Sequence, residues 1–294
     1  MSKFSAILAA SRPKTLPAAV VPVAIAVALT QFRTQNVRWD LAIWTLLSTL
    51  FIQLATNYFN DIIDAKKGAD TDDRLGPTRA AASGLLSTRF VWGLAFGALG
   101  IAALLGIPLI LERGWIILAI GIPAAYLCYG YTGGPFPLAY RAMGEIFVLL
   151  WFGVIAVTGS YFVQTGEWSL DALVLGLQSG AYSTVLIAIN NLRDIETDKL
   201  VAKNTIMVLF GKSFGRVFIS LTCLLPDLAG IYWSEDGLWM WLAPLIVTLP
   251  LKLLILKGVF TTEPSAAYNK FLAVSAVQLL LFGATWTITS MLAG

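Results

Sequence analysis

The chain carries the stretch Asn57-Tyr58-Phe59-Asn60-Asp61-Ile62-Ile63-Asp64 at the end of one long apolar segment, and the stretch Asn190-Asn191-Leu192-Arg193-Asp194-Ile195-Glu196-Thr197-Asp198 at the end of another. In a helix, spacings of three and four residues place the Asn and Asp side chains of each stretch on one face. Clusters made only of oxygen ligands bind hard cations such as Mg²⁺, which in turn bind phosphates. Two such clusters at one membrane surface predict an enzyme that binds a diphosphate whose tail lies in the lipid.

The composition indicates an integral membrane protein. Of the 294 residues, 57% are hydrophobic and 13% are charged, and the mean hydropathy is +0.77, whereas a soluble domain carries about 25% charge. The chain has no His, which excludes Ser-His-Asp triads, His-ligated zinc and His acid–base catalysis. Cys128 and Cys223 both lie in apolar segments, so they predict packing rather than a disulfide framework or a four-ligand metal site.

Nine apolar segments are long enough to cross a bilayer core of about 30 Å. The predicted spans are about 15–32, 41–60, 90–110, 115–132, 142–163, 170–190, 214–233, 238–256 and 270–292. We therefore expect an all-α integral membrane bundle of about nine transmembrane helices, with a single domain over residues 1–294.

The basic residues are distributed unevenly over the predicted loops. Of the 20 Lys and Arg, 17, Lys252 among them, fall on the side of the N-terminus. The positive-inside rule places that side in the cytoplasm, and an odd number of spans places the C-terminus outside. Two long cytoplasmic loops, 61–89 and 191–213, follow the acidic stretches. We expect a multi-pass protein of the cell inner (plasma) membrane, whose first span is retained rather than cleaved as a signal peptide because it is full-length.

Four stretches of the chain are informative when they are taken together. They are Arg12-Pro13-Lys14-Thr15-Leu16-Pro17, the segment from Asn57 to Gly84, Tyr131-Thr132-Gly133-Gly134-Pro135 with Gly144-Glu145, and the stretch 190–198. Together they resemble the UbiA superfamily of intramembrane prenyltransferases, most closely its 1,4-dihydroxy-2-naphthoate prenyltransferase branch. One departure is that the usual Gly-Lys-x-Thr element reads Ala202-Lys203-Asn204-Thr205 here.

The resemblance implies a reaction. A polyprenyl group would pass from an allylic polyprenyl diphosphate to 1,4-dihydroxy-2-naphthoate with loss of pyrophosphate and CO₂, giving demethylmenaquinone in menaquinone biosynthesis. The charge on the leaving pyrophosphate is the main obstacle, so metal and basic groups that stabilise it would supply most of the catalysis.

The resemblance also implies a set of site residues. Two Mg²⁺ ions would be held by the carboxylates of Asp61, Asp64, Asp194 and Asp198, with Asn57 and Asn190 as further catalytic residues. The residues expected to bind substrate are Lys14, Asn60, Lys66, Asp70, Arg74, Arg79, Tyr131, Arg141, Asn191, Arg193 and Lys203. Among them, Arg79 and Lys203 are the foremost candidates for the diphosphate, and Lys14 or Arg141 for the naphthoate carboxylate.

Several alternatives stay open at this point. The same chemistry with a phytyl donor, or with another aromatic acceptor, fits the same motifs. A transporter without chemistry is less favoured, because transporters place coupling charges near the membrane midplane and the candidate charges here lie at one face. The plainer interpretation of the acidic stretches is a pair of solvated loops whose charges pair with each other. We expect membrane lipid as a partner and no nucleic acid.

Two acidic residues fall outside the motifs. Glu145, just inside the fifth predicted span, is either an acid–base group or a helical partner of Arg141 four residues earlier. Asp227 lies inside the seventh predicted span, towards the outer side, too far along the chain from the cytoplasmic acids to join them.

Overall fold

The computed structural model describes residues 3–68, 75 and 84–293, and its described part is built of α-helices. They are α1 Lys3–Ala10, α2 Pro17–Thr34, α3 Trp39–Lys66, α4 Thr88–Arg113, α5 Trp115–Gly130, α6 Gly144–Leu149, α7 Ala156–Thr165, α8 Leu170–Arg193, α9 Ile195–Leu200, α10 Ile206–Gly230, α11 Leu238–Thr261 and α12 Tyr268–Ala293. A π-helical turn, Leu150–Ile155, joins α6 to α7. The predicted all-α architecture is confirmed.

Eight helical segments are long and apolar enough to cross a membrane. Each coincides with a predicted span: α2, α3, α4, the continuous segment Gly144–Thr165, α8, α10 with its extension to Glu235, α11 and α12. The fourth predicted span coincides with α5, which has only 16 residues, fewer than the roughly 20 that a bilayer core requires. The structure therefore supports eight of the nine predicted spans by length, and the ninth is a shorter apolar helix.

The structure describes the two predicted long loops to different extents. The segment 191–213 is mostly helical, because α8 continues to Arg193, α9 follows, and Thr205 caps the start of α10 by accepting a hydrogen bond from the Val208 amide. In the segment 61–89, α3 continues to Lys66 and α4 begins at Thr88. Much of what lies between them, with Asp70, Arg74 and Arg79, is outside the described residues.

The N-terminal segment packs against the motif-bearing end of α3. Ala6 and Ala10 of α1 are buried in one apolar cluster with Tyr58 and Ile62. Arg12 then adopts a left-handed conformation (φ 49°) that turns the chain into a short 3₁₀ turn. A helix at the N-terminus was absent from the sequence prediction, because its eight residues are too few to read as a span.

The π-helical turn lies against α8 at very close range. A Cβ atom on Gly153 would stand 2.3 Å from the Gly180 Cα and 2.4 Å from the Gly176 carbonyl oxygen. Small residues allow membrane helices to approach backbone to backbone in this way. The contact fixes α8, which carries the start of the second acidic motif, against the helical segment Gly144–Thr165, which contains Glu145.

The Asp227 carboxylate, unexplained by the sequence, forms an ion pair with the Lys252 ammonium between α10 and α11. Lys252 is 1% exposed, so its assignment to a cytoplasmic loop was wrong: α11 extends to Thr261 and encloses it. Charged groups inside a membrane bundle are retained when they pair with each other. This pair therefore fastens α10 to α11.

A second charge cluster ties the helices together at the end of the bundle opposite the acidic motifs. Arg33, in the last turn of α2, donates to Asp171 at the start of α8 (2.6 Å) and to both carboxylate oxygens of Asp236 in the turn before α11 (2.6 and 2.7 Å). Bidentate Arg–carboxylate pairs are among the strong charge-assisted hydrogen bonds in proteins.

Candidate active site

The first acidic motif occupies the last turns of α3. Asn57, Asn60, Asp61 and Asp64 are all buried, with Asp61 only 1% exposed. Because α3 continues beyond Asp64, the four side chains lie on one helical face, as the spacing predicts. The helix ends at Lys66, and Gly68 has the positive φ (72°) that permits the chain to turn away.

Asn57 binds the N-terminal segment. Its side-chain amide donates to the Ser11 carbonyl oxygen (2.8 Å) and to the Thr15 hydroxyl (3.2 Å), and its own oxygen accepts from Gln53 (3.2 Å). These bonds hold the Arg-Pro-Lys-Thr stretch beside the motif. They occupy the amide of a residue that was predicted to be catalytic.

The segment between α5 and α6 covers the rest of this motif. The Thr132 hydroxyl donates to Asn60 Oδ1 (2.8 Å), and the Tyr140 hydroxyl donates to Asp64 Oδ1 (3.0 Å). The Lys67 ammonium donates to the Thr132 carbonyl oxygen (2.6 Å) and lies 3.8 Å from the centroid of the Tyr140 ring. One cation and one phenol thus stand beside the acids of α3.

The second motif spans a break between two helices. Helix α8 ends at Arg193, and Asp194 leaves helical geometry (φ −93°, ψ 12°) before α9 begins. The Asp198 amide still donates to the Asp194 carbonyl oxygen (2.8 Å), so the two carboxylates keep the predicted one-turn spacing. Both are buried, and Asp198 Oδ2 accepts no hydrogen bond from any described residue.

A left-handed turn brings Lys203 back to this motif. Ala202 has φ 53°, and the Lys203 amide then donates to the Asp198 carbonyl oxygen (2.9 Å). The Lys203 ammonium stands 3.2 Å from Asp198 Oδ1. The departure from Gly at position 202 therefore leaves the turn in place, with an Ala in a conformation that favours Gly.

Arg193 is buried, 2% exposed, among motif residues. It donates to both oxygens of Asp194 (2.7 and 2.6 Å) and to Asn190 Oδ1 (2.9 Å). Its remaining prong donates to Asn269 Oδ1 on α12 (2.6 Å), and the Asn269 amide donates to the Leu75 carbonyl oxygen (2.8 Å). A residue predicted to bind substrate is thus engaged with the predicted metal ligands.

The charges of the two motifs act on the same groups. Burial raises the pKa of Asp198 to about 6, the Lys203 ammonium opposes this, and the negative charges of Asp194 and Asp64 add to it. Burial lowers the pKa of Lys203, but Asp198, Asp64 and Asp194 outweigh it and raise the value above the ordinary range. Asp64 belongs to the first motif, so the structure brings the two motifs together.

Tyr131 lies between the motifs and Glu145. Burial raises the pKa of its phenol, and the negative charges of Glu145, Asp64 and Asp198 raise it further. A Cβ atom on Gly144 would stand 3.1 Å from the Tyr131 hydroxyl, so the glycine makes room for it. Asn191 is also here, and its amide donates to Glu145 Oε1 (2.8 Å).

Three of the other predicted cations, Lys14, Lys66 and Arg141, lie at the surface or over aromatic rings. Lys14 is exposed, and the Lys66 ammonium lies over the Trp92 ring, 5.4 Å from its centroid. Arg141 is exposed and lies over the Phe136 ring at 4.4 Å. It lines a cavity of about 550 Å³, whose wall is formed by Pro137, Tyr140, Arg141, Ala202, Asn204 and Leu209. Tyr140 separates this cavity from Asp64.

Two contacts were missed by the sequence prediction. Thr132 stands within a motif stretch, so its position was a signal, but it received no role, whereas Lys67 was among the candidates for binding the diphosphate. Asn269 had no signal at all, because it lies about 75 residues beyond Arg193, just before a segment that reads as an ordinary span. Arg12 opens a quoted stretch, and its positive charge acts on Tyr131.

The donor set suits a hard cation. Within residues 3–68, 75 and 84–293, no group of three or more acidic or Cys side chains is close enough to hold a metal ion by itself. Mg²⁺ is usually held by one or two carboxylates together with substrate phosphates, and each motif offers two carboxylates. The partnerless Asp198 Oδ2 and the oxygen-only chemistry fit such an ion when a phosphate completes the site.

Buried carboxylates, amides and cations at one end of membrane-length helices define a multi-pass membrane protein with a polar site under its surface. The chain belongs to the UbiA prenyltransferase family, whose model matches residues 19–292. The resemblance inferred from the motifs is confirmed.

Named relatives and solved structures agree with this family. The chain is 32% identical over 261 residues to a 1,4-dihydroxy-2-naphthoate octaprenyltransferase of Bacillus subtilis, covering 86% of this chain and 81% of the relative. It is 26% identical to a 2-carboxy-1,4-naphthoquinone phytyltransferase of Synechocystis, covering 91% and 88%. A UbiA homologue from Archaeoglobus fulgidus bound to DMAPP and Mg²⁺ has the same fold, with 18% identity, a TM-score of 0.66 and coverage of 96% of this chain and 99% of that one.

Proposed function

We propose that the protein transfers a polyprenyl group from an allylic diphosphate to 1,4-dihydroxy-2-naphthoate, releasing pyrophosphate and CO₂ and giving demethylmenaquinone. The main support for this proposal is that carboxylates of both buried acidic motifs surround Lys203. The charges of Asp64, Asp194 and Asp198 all act on its ammonium group. The naphthoate octaprenyltransferase names of relatives at 31–35% identity support the acceptor.

The carboxylates would hold Mg²⁺, as two ions, through Asp61, Asp64, Asp194 and Asp198. When bound, Mg²⁺ supplies positive charge that stabilises the departing pyrophosphate. Lys203 and Lys67 stand beside the two motifs, where they donate hydrogen bonds to diphosphate oxygens and add to that stabilisation. Arg193 holds Asp194 and Asn190 in place rather than facing the substrate.

The remaining side chains would shield and orient the reactants. Tyr131 and Tyr140 present aromatic faces near the acids, and such faces stabilise a cation while they exclude water. Arg141 lines the neighbouring cavity and offers a guanidinium for the naphthoate carboxylate. The substrate-binding roles of Lys14, Lys66, Asp70, Arg74 and Arg79 belong to the same proposal.

We place the protein in the cell inner membrane as one domain, with its N-terminus and the acidic site at the cytoplasmic face and its C-terminus outside. The excess of Lys and Arg on the N-terminal side supports this orientation.

A phytyl donor is the second candidate, because the Synechocystis relative carries a phytyltransferase name. The two candidates share the acceptor chemistry and differ only in the tail. Offering both diphosphates in competition to one preparation separates them.

The test is pyrophosphate release by the detergent-purified protein with Mg²⁺, a polyprenyl diphosphate and 1,4-dihydroxy-2-naphthoate, followed by mass spectrometry of the lipid product. We expect a prenylated naphthoquinol that lacks the carboxyl carbon. Pyrophosphate release without that product would contradict the acceptor. If no pyrophosphate were released with the naphthoate, 4-hydroxybenzoate or homogentisate, the proposal that the protein is a prenyltransferase would be contradicted.

A further inference from the structure

Glu145 is a buried residue, and one of its two carboxylate oxygens accepts no hydrogen bond from the described residues. It is 2% exposed at the start of α6. Its Oε1 accepts a hydrogen bond from Asn191, while Oε2 is buried and accepts none from any described residue. An unpaired carboxylate oxygen away from water is costly, so such a group is retained for a purpose other than stability.

Ion pairing does not explain this residue. Arg141, its possible helical partner, lies over the Phe136 ring instead. Lys203 acts on the Glu145 carboxylate through its charge, but its ammonium is paired with Asp198. The bond from Asn191 orients the Glu145 carboxylate, and Oε2 accepts none from the described residues.

The surroundings place Glu145 in the same pocket as the acidic motifs. Asn191 precedes Asp194 by three residues on α8, which is about 4.5 Å along a helix axis towards the membrane interior. Tyr131, on whose phenol Glu145, Asp64 and Asp198 all act, has its hydroxyl beside Gly144. Glu145 therefore lies next to the second motif, beside the part of α8 that precedes Asp194.

We propose that Glu145 is the general base of the transfer, with Oε2 accepting the proton of a ring hydroxyl on the aromatic acceptor. This inference rests on the proposed function. Asn191 is its positioning residue, and the pair makes the site specific for acceptors with a hydroxyl next to the carbon that is prenylated.

The step balances as follows for an acceptor attacked at the carbon that bears its carboxylate. The bond between the prenyl carbon and the diphosphate oxygen breaks, and its electron pair leaves with the diphosphate. A ring π pair forms the new carbon–carbon bond, while the adjacent hydroxyl becomes a carbonyl and its proton moves to Glu145. The bond to the carboxylate carbon then breaks, CO₂ leaves, its pair restores the ring, and the carbonyl oxygen takes the proton back from Glu145.

The decisive variant is Glu145→Gln, which can still accept a hydrogen bond from Asn191 but cannot take a proton. We expect kcat for the prenylated product to fall by about 100-fold or more, the typical worth of a general base. The KM for the diphosphate and the thermal stabilisation by diphosphate with Mg²⁺ should stay unchanged. Glu167→Gln is the matched control, because that Glu is exposed in the turn between α7 and α8, at the opposite end of α8 from the acidic motif.

Two further experiments, one with a second protein variant and one with a modified acceptor, test the same proposal. Glu145→Asp retains a carboxylate and should keep more activity than the Gln variant even if both are less stable. A fluorinated acceptor with a more acidic hydroxyl should narrow the gap between Glu145→Gln and the parent. A wild-type transfer rate in the Glu145→Gln variant would overturn the role of Glu145 as general base. So would a loss of diphosphate binding as large as the loss of rate. A parent protein that prenylates no aromatic acceptor would instead overturn the proposed function, and this inference with it.

Discussion

Each carboxylate of the second motif holds a cation supplied by the chain itself. Asp194 is bound by Arg193 and Asp198 by Lys203, so the motif is partly neutralised within the protein. Charge-assisted pairs of this kind are strong when they are buried. A variant at Asp194 would therefore disturb folding as well as chemistry, which makes the first motif the better place to test the site.

Asp61→Asn should lower the rate of Mg²⁺-dependent prenyl transfer by about 100-fold or more, because removal of one group that stabilises developing charge commonly costs that much. The change keeps the shape of a fully buried side chain. The measurement is kcat/KM for the diphosphate in purified protein. Asp40→Asn is the control, since Asp40 is exposed at the opposite end of α3; unchanged Mg²⁺-dependent transfer in the Asp61 variant would rule out the assigned site.

Ala202→Gly should stabilise the protein by about 1 kcal/mol, because Ala202 has φ 53° and a left-handed Ala costs about 1–2 kcal/mol, partly offset by the entropy of Gly. Thermal unfolding in detergent measures it. Ala139→Gly, in a right-handed turn, is the control and should destabilise. A lower midpoint for the Ala202 variant would show that the turn is not strained.

At this scale the sequence predicted which acids share a helical face and could not predict their partners. Spacing alone places Asp61 and Asp64 together, since both lie in one helix. The hydrogen bonds from Tyr140 to Asp64 and from Arg193 to Asn269 join residues 76 positions apart in each case. Such contacts depend on how helices dock, which no local pattern encodes.

Among the elements, the contact between the π-helical turn and α8 sets the position of two site residues. Glu145 lies in the first turn of α6, which leads into the π-helical turn, and Asn191 lies in the last turn of α8. Their hydrogen bond requires the two helices to keep a fixed distance and register. The glycines Gly153, Gly176 and Gly180 allow that distance, and π-helical turns often occur near functional sites.

Gly153→Ala should destabilise the protein by about 1–3 kcal/mol, the usual cost of forcing an extra carbon into a packed contact, because the new Cβ would meet backbone rather than a flexible side chain. Thermal unfolding and the retained transfer rate measure the two consequences. Gly159→Ala, in the same membrane segment, is the matched control. Its Cβ would meet only Ile120 Cδ1 at an ordinary 3.5 Å, so equal behaviour of the two variants would contradict the close contact.

For the molecule as a whole, hydropathy predicted the helical bundle well and the ends of its helices poorly. Eight spans agree because long apolar runs have only one stable form in lipid. The predicted boundaries failed where polar residues remain helical because they are buried, as at Asp64, beyond the predicted end of the second span. The segment 191–213 reads as a loop for the same reason, although it forms the end of α8, α9 and the start of α10.

The orientation of the bundle is testable with single cysteines in a Cys128→Ala, Cys223→Ala background, which removes two buried free thiols. Glu112→Cys, at the outer end of α4, should react with a membrane-impermeant thiol reagent in intact cells. Lys199→Cys, exposed on α9, should react only after permeabilisation, because basic loops stay in the cytoplasm. The reverse pattern would invert the bundle.

The two acidic motifs lie about 130 residues apart in the chain, which matters while the protein is being made. At a synthesis rate of about 5–20 residues per second, Asp61 emerges roughly 7–27 seconds before Asp194. Asn269, which holds Arg193 on the second motif, follows later still. The nascent protein thus passes through a stage in which the acids of the first motif have been made but the second motif, which faces them in the folded protein, has not.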